Sequence, residues 1–188
     1  MDYRTKPISR KKIRVIAIFV KKELFKCKNK YYFDVIKALE KIPFLFGNIC
    51  YEIVDDNCEE LKNVPAATIP DIDGNYCIKI KESVYEKAYF EKNGGCRMHI
   101  MHEICHVLLF MLGYVPYFGR AYKNYELEPF ESIEWQAKAL AGEILIPYYS
   151  TKHLDLNQLI NKCKISEEAA QNAIKIREKE EIMKKIKK

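Results

Sequence analysis

Residues 97–112, RMHIMHEICHVLLFML, place His102, Glu103 and His106 in a His-Glu-x-x-His pattern. On a helix, positions i and i+4 share one face. Two imidazoles so placed can hold one Zn²⁺ at about 2.0–2.1 Å from each nitrogen and leave a coordination position open to water. A glutamate one residue after the first histidine stands beside that water and can take its proton. The surrounding residues sharpen the reading. Ile100, Met101, Ile104, Val107, Leu108, Leu109, Phe110, Met111 and Leu112 describe a buried helix. Two imidazoles and a carboxylate in such a helix cost several kcal/mol unless something pairs them, and a metal ion is a partner for all three.

Catalytic zinc usually takes a third protein ligand. The two remaining histidines, His99 and His153, do not fall in a glycine-containing histidine motif. The next helical segment, residues 131–147, ESIEWQAKALAGEILIP, offers carboxylates instead. Ile133, Ala137, Leu140, Ala141 and Ile144 form its apolar stripe, and Glu134 borders that stripe. The small Ala137 and Ala141 allow close approach of the two helices. Glu131, one turn earlier on a more polar flank, is the rival third ligand. His99, one turn before His102, is a candidate for a supporting group around the metal, as is Glu131, although an ordinary helix histidine with its own partners is the simpler reading of His99. Cys105 points away from the metal side by helical angle and reads as a small core residue.

These residues carry a family resemblance. Arg-x-x-x-x-His-Glu-x-x-His, followed about thirty residues on by Glu-x-Gln-Ala-x-x-x-Ala-x-x-Ile-Leu-x-Pro (134–147), resembles the ImmA/IrrE metallopeptidases. The resemblance extends over roughly residues 31–177, and its specific part is 97–106 with 134–147. It implies a gluzincin-like site in which His102, His106 and Glu134 bind one Zn²⁺ and Glu103 is the general base. It also implies a substrate: a helix-turn-helix repressor or similar regulator, cut to switch transcription of a mobile element or stress pathway. The chain departs from the family at Cys105, where glycine is usual, at His99, where threonine is usual, and at Ala139, where an aromatic is usual. None of these removes a ligand.

The elements that must position the site follow from periodicity and turn chemistry. Ser9 caps an amphipathic helix over 9–26, with Ile13, Ile16, Ala17, Val20 and Leu24 at helical spacing. A second helix is predicted over 31–41 and stopped by Pro43. Residues 49–54 read as a strand. A hairpin follows, with arms at 66–69 and 76–80 about the Asp73-Gly74 turn. Tyr76, Ile78 and Ile80 share one face of the second arm, and Cys77 and Lys79 the other. A helix from Ser83 ends at Asn93-Gly94-Gly95, and Gly113 closes the His-Glu-x-x-His helix. Residues 114–129 form an aromatic loop whose Tyr114, Tyr117, Phe118, Tyr122 and Tyr125 either line a substrate wall or pack over the core. Helices near 152–163 and 166–186 complete the chain. Their sequence LNQLINKCKISEEAAQNAIKI is a weak match to helix-turn-helix. The expected fold is α+β and mainly helical, with a small three-stranded mixed or antiparallel sheet packed on the His-Glu-x-x-His helix, and the resemblance makes it zincin-like. The expected organisation is a basic helical extension at 1–30, a metallopeptidase core at 31–150 and C-terminal helices at 151–188, all in one compact domain.

Charge is uneven. Residues 1–30 hold 11 Lys+Arg against 2 acids, net +9; residues 164–188 are net +3 and the middle is net −6, within an overall +6. Basic ends suit an acidic partner or nucleic acid, and a solvated helix face accounts for the same runs. No apolar run reaches the about 18 residues of a membrane span. Seven cysteines without a CxxC pair point to a reducing cytoplasm. The reading that follows is a cytoplasmic zinc endopeptidase with no membrane partner. A strand edge at Tyr76, Ile78 and Ile80 is its expected substrate support, and Tyr117 and Arg120 are further candidates against the substrate. The competing reading keeps the zinc site in a regulatory protein without useful turnover, which binds a repressor or DNA through its basic helices.

Overall fold

A computed structural model describes residues 2–70, 74–117 and 127–186 of the 188-residue chain. The fold is α+β and mainly helical, with one three-stranded mixed sheet. Helix α4, Gly94–Met111, runs through its centre. Nearly every α4 residue from Ile100 to Leu109 is buried, which is why its apolar residues show no single face. One side packs on α5, Ile133–Leu145, where Ala137 and Ala141 are fully buried between the helices. The other side carries the sheet and α2, Val35–Leu45.

The sheet order is β1 (Ile49–Val54), β3 (Tyr76–Lys81), β2 (Ala66–Pro70). β2 and β3 form the expected antiparallel hairpin, and β1 runs parallel to β3. Ile78 and Ile80 point into the core and are fully buried, while Cys77 and Lys79 take the outer face. Helix α3, Glu82–Tyr89, leads from β3 to α4.

Three of the element boundaries that differ from expectation have a clear local reason. α2 starts only at Val35, because the Asp34 side chain accepts from Lys37 N and so caps it there. It runs past Pro43, which lies in its last turn, where little helix remains to be broken. Asn93-Gly94-Gly95 does not end α3 but begins α4: the Asn93 side chain caps the helix by accepting from Cys96 N at 3.0 Å, and the two glycines form its first residues. Gly94 allows close packing. A Cβ at this position would overlap the backbone of Ile165 and Ser166, at the turn between α7 (Leu156–Cys163) and α8 (Glu167–Ile186).

Arg97 locks the same junction. It is 1 % exposed, and its guanidinium donates to Phe33 O at 2.7 Å, Cys163 O at 2.9 Å and Lys164 O. The α7–α8 turn that resembled helix-turn-helix is therefore packed on α4, and α8 opens with the acidic Glu167 and Glu168.

The basic N-terminal stretch is part of the same core rather than an appendage. Ser9 caps α1, Arg10–Phe19, as expected, and a π-helical turn, Val20–Leu24, continues it. Ile8, Ile13, Ala17, Val20 and Phe25 are buried. Several of its cations are spent internally. Arg14 donates to Glu143 at 2.9 Å and with both terminal nitrogens to Glu180 at 2.7 and 2.8 Å, and stacks 3.9 Å above the Tyr148 ring of α6, Tyr148–Thr151. Arg10 lies 3.6 Å from Glu143, and Lys21 is buried. Even with these cations, burial pushes the Glu143 carboxyl up. Among the described residues no helix is long and apolar enough to cross a membrane.

Candidate metal centre

α4 presents His102 and His106 one turn apart, and α5 brings Glu134 against them. The three side chains converge: His102 Nε2 lies 3.0 Å from His106 Nε2 and 3.1 Å from Glu134 Oε2, and His106 Nε2 lies 3.5 Å from Glu134 Oε1. Ligands at about 2.0–2.1 Å from a tetrahedral ion stand about 3.3 Å from one another. The spacing of these donors thus matches a single ion touching all three. Bonds to His102 and then His106 hold the Glu134 carboxyl well below the usual carboxylate range, so it is ionised and ready to ligate. His102, His106 and Glu134 could together hold a metal ion. Glu134 is the open side, its side chain 46 % exposed against 10 % for His106.

No protein-family model and no curated protein matches this chain.

Glu131, the rival ligand, is instead paired with Arg4 at 2.6 Å. The two glutamates are separated by the Ser132 cap, whose hydroxyl accepts from Trp135 N at 2.9 Å and starts α5 between them. Glu134→Ala should therefore remove stoichiometric metal while Glu131→Ala retains it. Elemental analysis of the two purified variants checks this, and full metal in Glu134→Ala would discard the three-donor set.

Glu103 does not join the donors. It is buried, 9 % exposed, and its Oε2 accepts a 2.9 Å hydrogen bond from the Thr68 hydroxyl. That hydroxyl also lies 3.2 Å from the Glu103 carbonyl oxygen. Thr68 sits mid-way along β2, on the face shared with Ile78. The edge strand thus reaches down to the carboxylate beside the metal donors. Sequence reasoning missed Thr68, and a lone threonine in a short strand carries no signal that would find it.

A second missed group is Asp2. Residues 2–5 run antiparallel to 131–133, with Ile133 N donating to Tyr3 O and Thr5 N donating to Glu131 O. The Asp2 carboxylate accepts from Ser132 Oγ at 2.6 Å and from Glu134 N at 3.3 Å. The first residues of the chain therefore brace the helix end that carries the third donor.

Other expected site residues lie elsewhere. β3 cannot offer a free edge, because it is paired on both sides as the central strand, and its Ile78 and Ile80 are core residues. Among the described residues, the unpaired edge next to Glu103 belongs to β2. Tyr76 packs on Phe110 at 5.2 Å between centroids, and Phe110 on His106 at 5.9 Å, so Tyr76 backs the site through an aromatic neighbour. His99 is exposed and stands outside the donor group. Cys105 is a fully buried core residue, and burial holds its thiol well above its ordinary range. Of the aromatic loop, Tyr114 is buried under Lys12 rather than lining a wall, and Tyr117 is 47 % exposed, its N–H donating to Arg4 O. Phe118, Arg120, Tyr122 and Tyr125 lie outside the described residues.

Proposed function

We propose that this chain is a zinc-dependent endopeptidase of the ImmA/IrrE type. The observation that carries the reading is the juxtaposition of two chemistries on one helix turn. Three donors face a common point, and the carboxylate between the two histidines is kept out of that donor set and held by an edge strand. A structural metal site has no use for the second arrangement.

His102, His106 and Glu134 would hold the zinc, which when bound would lower the pKa of water toward about 7 and polarise a carbonyl. The remaining work falls to the protein. Glu103, fixed by Thr68, accepts a proton from water and hands it to the leaving amine. The free edge of β2 pairs with an extended peptide through backbone hydrogen bonds and lays its scissile bond across the donors. Such a groove takes a flexible segment, which suits a regulator cut in a linker, and the repressor-type substrate implied by the resemblance fits that requirement.

The test is incubation of the zinc-loaded protein with a helix-turn-helix repressor from the same genome, followed by mass spectrometry of the products. Cutting at one bond, lost with chelator and restored by zinc, is the expected result. No cleavage of that repressor or of an unfolded protein by zinc-loaded enzyme would leave the site structural.

The role given to Thr68 has its own consequence. Thr68→Val keeps the shape and strand preference but removes the donor. A hydrogen bond to a charged group is worth about 1.5–3 kcal/mol. Cleavage by Thr68→Val should fall on the order of tenfold or more with zinc content unchanged. An unaltered rate would mean that packing alone holds Glu103.

A further inference from the structure

The outer face of the sheet carries a pair of thiols that the metal centre does not use. Cys50 and Cys77 are direct partners in the parallel β1–β3 register. Both point away from the core, as do their neighbours Glu52 and Lys79, which pair at 3.6 Å one step along the same face. The spacing of paired strands, about 4.8 Å, falls within the Cα separation that a disulfide spans, roughly 4.4–6.8 Å. Paired directly across two neighbouring strands, the two thiols project from the same face of the sheet. Cys50 is exposed, Cys77 half-buried, and both are free. Of the other five cysteines, Cys105 and Cys163 are buried and Cys27, Cys58 and Cys96 half-buried, so Cys50 is the thiol most open to a reagent.

We propose that Cys50 and Cys77 form a reversible dithiol–disulfide site, oxidised by hydrogen peroxide, with Cys50 as the attacking thiol and Cys77 as the resolving one. Cys50 gives its proton to solvent, and its sulfur attacks one peroxide oxygen. The O–O bond breaks, a sulfenic acid forms on Cys50, and the departing hydroxide leaves as water after taking a proton. The Cys77 sulfur then attacks the Cys50 sulfur. The S–S bond forms, the S–O bond breaks, and hydroxide leaves with the Cys77 proton as a second water. Two electrons pass from the sulfurs to one peroxide, and a dithiol reductant reverses the change. The division of labour follows from the surroundings. Burial and the neighbouring Cys50 thiol push the Cys77 thiol up to about 12, so it keeps its proton until the sulfenic acid is beside it.

The test uses the folded chain and does not depend on the metal reading. The protein is treated with limiting hydrogen peroxide, remaining thiols are alkylated, and non-reduced peptides are mapped by mass spectrometry. The expected product is a Cys50–Cys77 cross-linked peptide, lighter than the two reduced peptides by two hydrogens and released by dithiothreitol. Cys77→Ser should stop at the Cys50 sulfenic acid, trapped by dimedone. Phenylarsine oxide, which bridges adjacent thiols, should bind the untreated wild type and protect these two cysteines from alkylation. Oxidation of Cys50 to sulfinic acid without the cross-link, or a cross-link to Cys58 instead, overturns the proposal; both can be read from wild-type protein alone.

Discussion

Glu103→Gln should bind zinc, melt within a few degrees of wild type, and cleave about 10²–10⁴-fold more slowly, the range that general acid–base catalysis supplies. The amide has nearly the volume of the carboxylate, so the buried pocket under β2 stays filled. Its oxygen can still accept from the Thr68 hydroxyl, so the 2.9 Å contact that orients the side chain survives. What is lost is the capacity to take a proton. His102→Ala is the contrasting variant: it removes a donor from the metal, and the contribution of the ion to stability goes with it. Zinc content, melting temperature and cleavage rate measured on the three proteins together separate ligand from base. Equal rates for wild type and Glu103→Gln would end the peptidase reading and favour a regulatory zinc protein.

What the amino-acid sequence revealed of this site follows the range of its interactions. His102, Glu103 and His106 are legible because an i, i+4 spacing is resolved within one helix turn. Glu134 is legible because its neighbours Ala137 and Ala141 announce a close helix–helix approach, and its choice over Glu131 follows from the same stripe. Thr68 and Asp2 are not legible. They act across 35 and about 130 residues of chain, and nothing local distinguishes them from any strand threonine or terminal aspartate. The sheet shows the same division. Turn residues announced the β2–β3 hairpin, but the parallel pairing of β1 to the far side of β3 is a tertiary outcome, and it moved the free edge from β3 to β2. The basic N-terminus is legible only in part, since Lys6, Lys11, Lys12, Lys22, Lys26, Lys28 and Lys30 stay exposed. Net charge counts cations without saying where they point, and Arg10 and Arg14 point at Glu143 and Glu180.

Gly94→Ala should destabilise the protein by about 3 kcal/mol, the upper range for overpacking, a fall of roughly 10 °C in melting temperature for a chain of this size. The added methyl meets main-chain atoms of Ile165 and Ser166, which cannot rotate away as a side chain would. Relief requires moving the α7–α8 turn, yet Arg97 holds that turn through Cys163 O and Lys164 O. Moving it would strand a buried guanidinium, so the strain has no cheap outlet. Gly95→Ala is the internal control. A Cβ at that position meets only Asn93 Oδ1 at 3.4 Å, an ordinary contact, and replacing a helical glycine by alanine is worth about 0.5–1 kcal/mol in the favourable direction. Adjacent substitutions of identical chemistry should therefore shift the melting temperature in opposite directions. Parallel thermal denaturation of the two variants decides the matter, and a neutral Gly94→Ala would show that the α7–α8 turn packs more loosely on α4.

The antiparallel run of residues 2–5 along 131–133 bears on how the protein must be handled. Asp2 rests on the backbone of Glu134, so anything fused ahead of it is tethered close to the helix end that carries the third donor. A polyhistidine affinity tag at that end would bring six spare imidazoles to the open side of the centre, where they could occupy its free coordination positions. Metal analysis would then overstate the zinc and kinetic assays would understate the rate. Purification handles belong after α8, whose residues 181–186 are exposed, or should be cleaved away before either measurement.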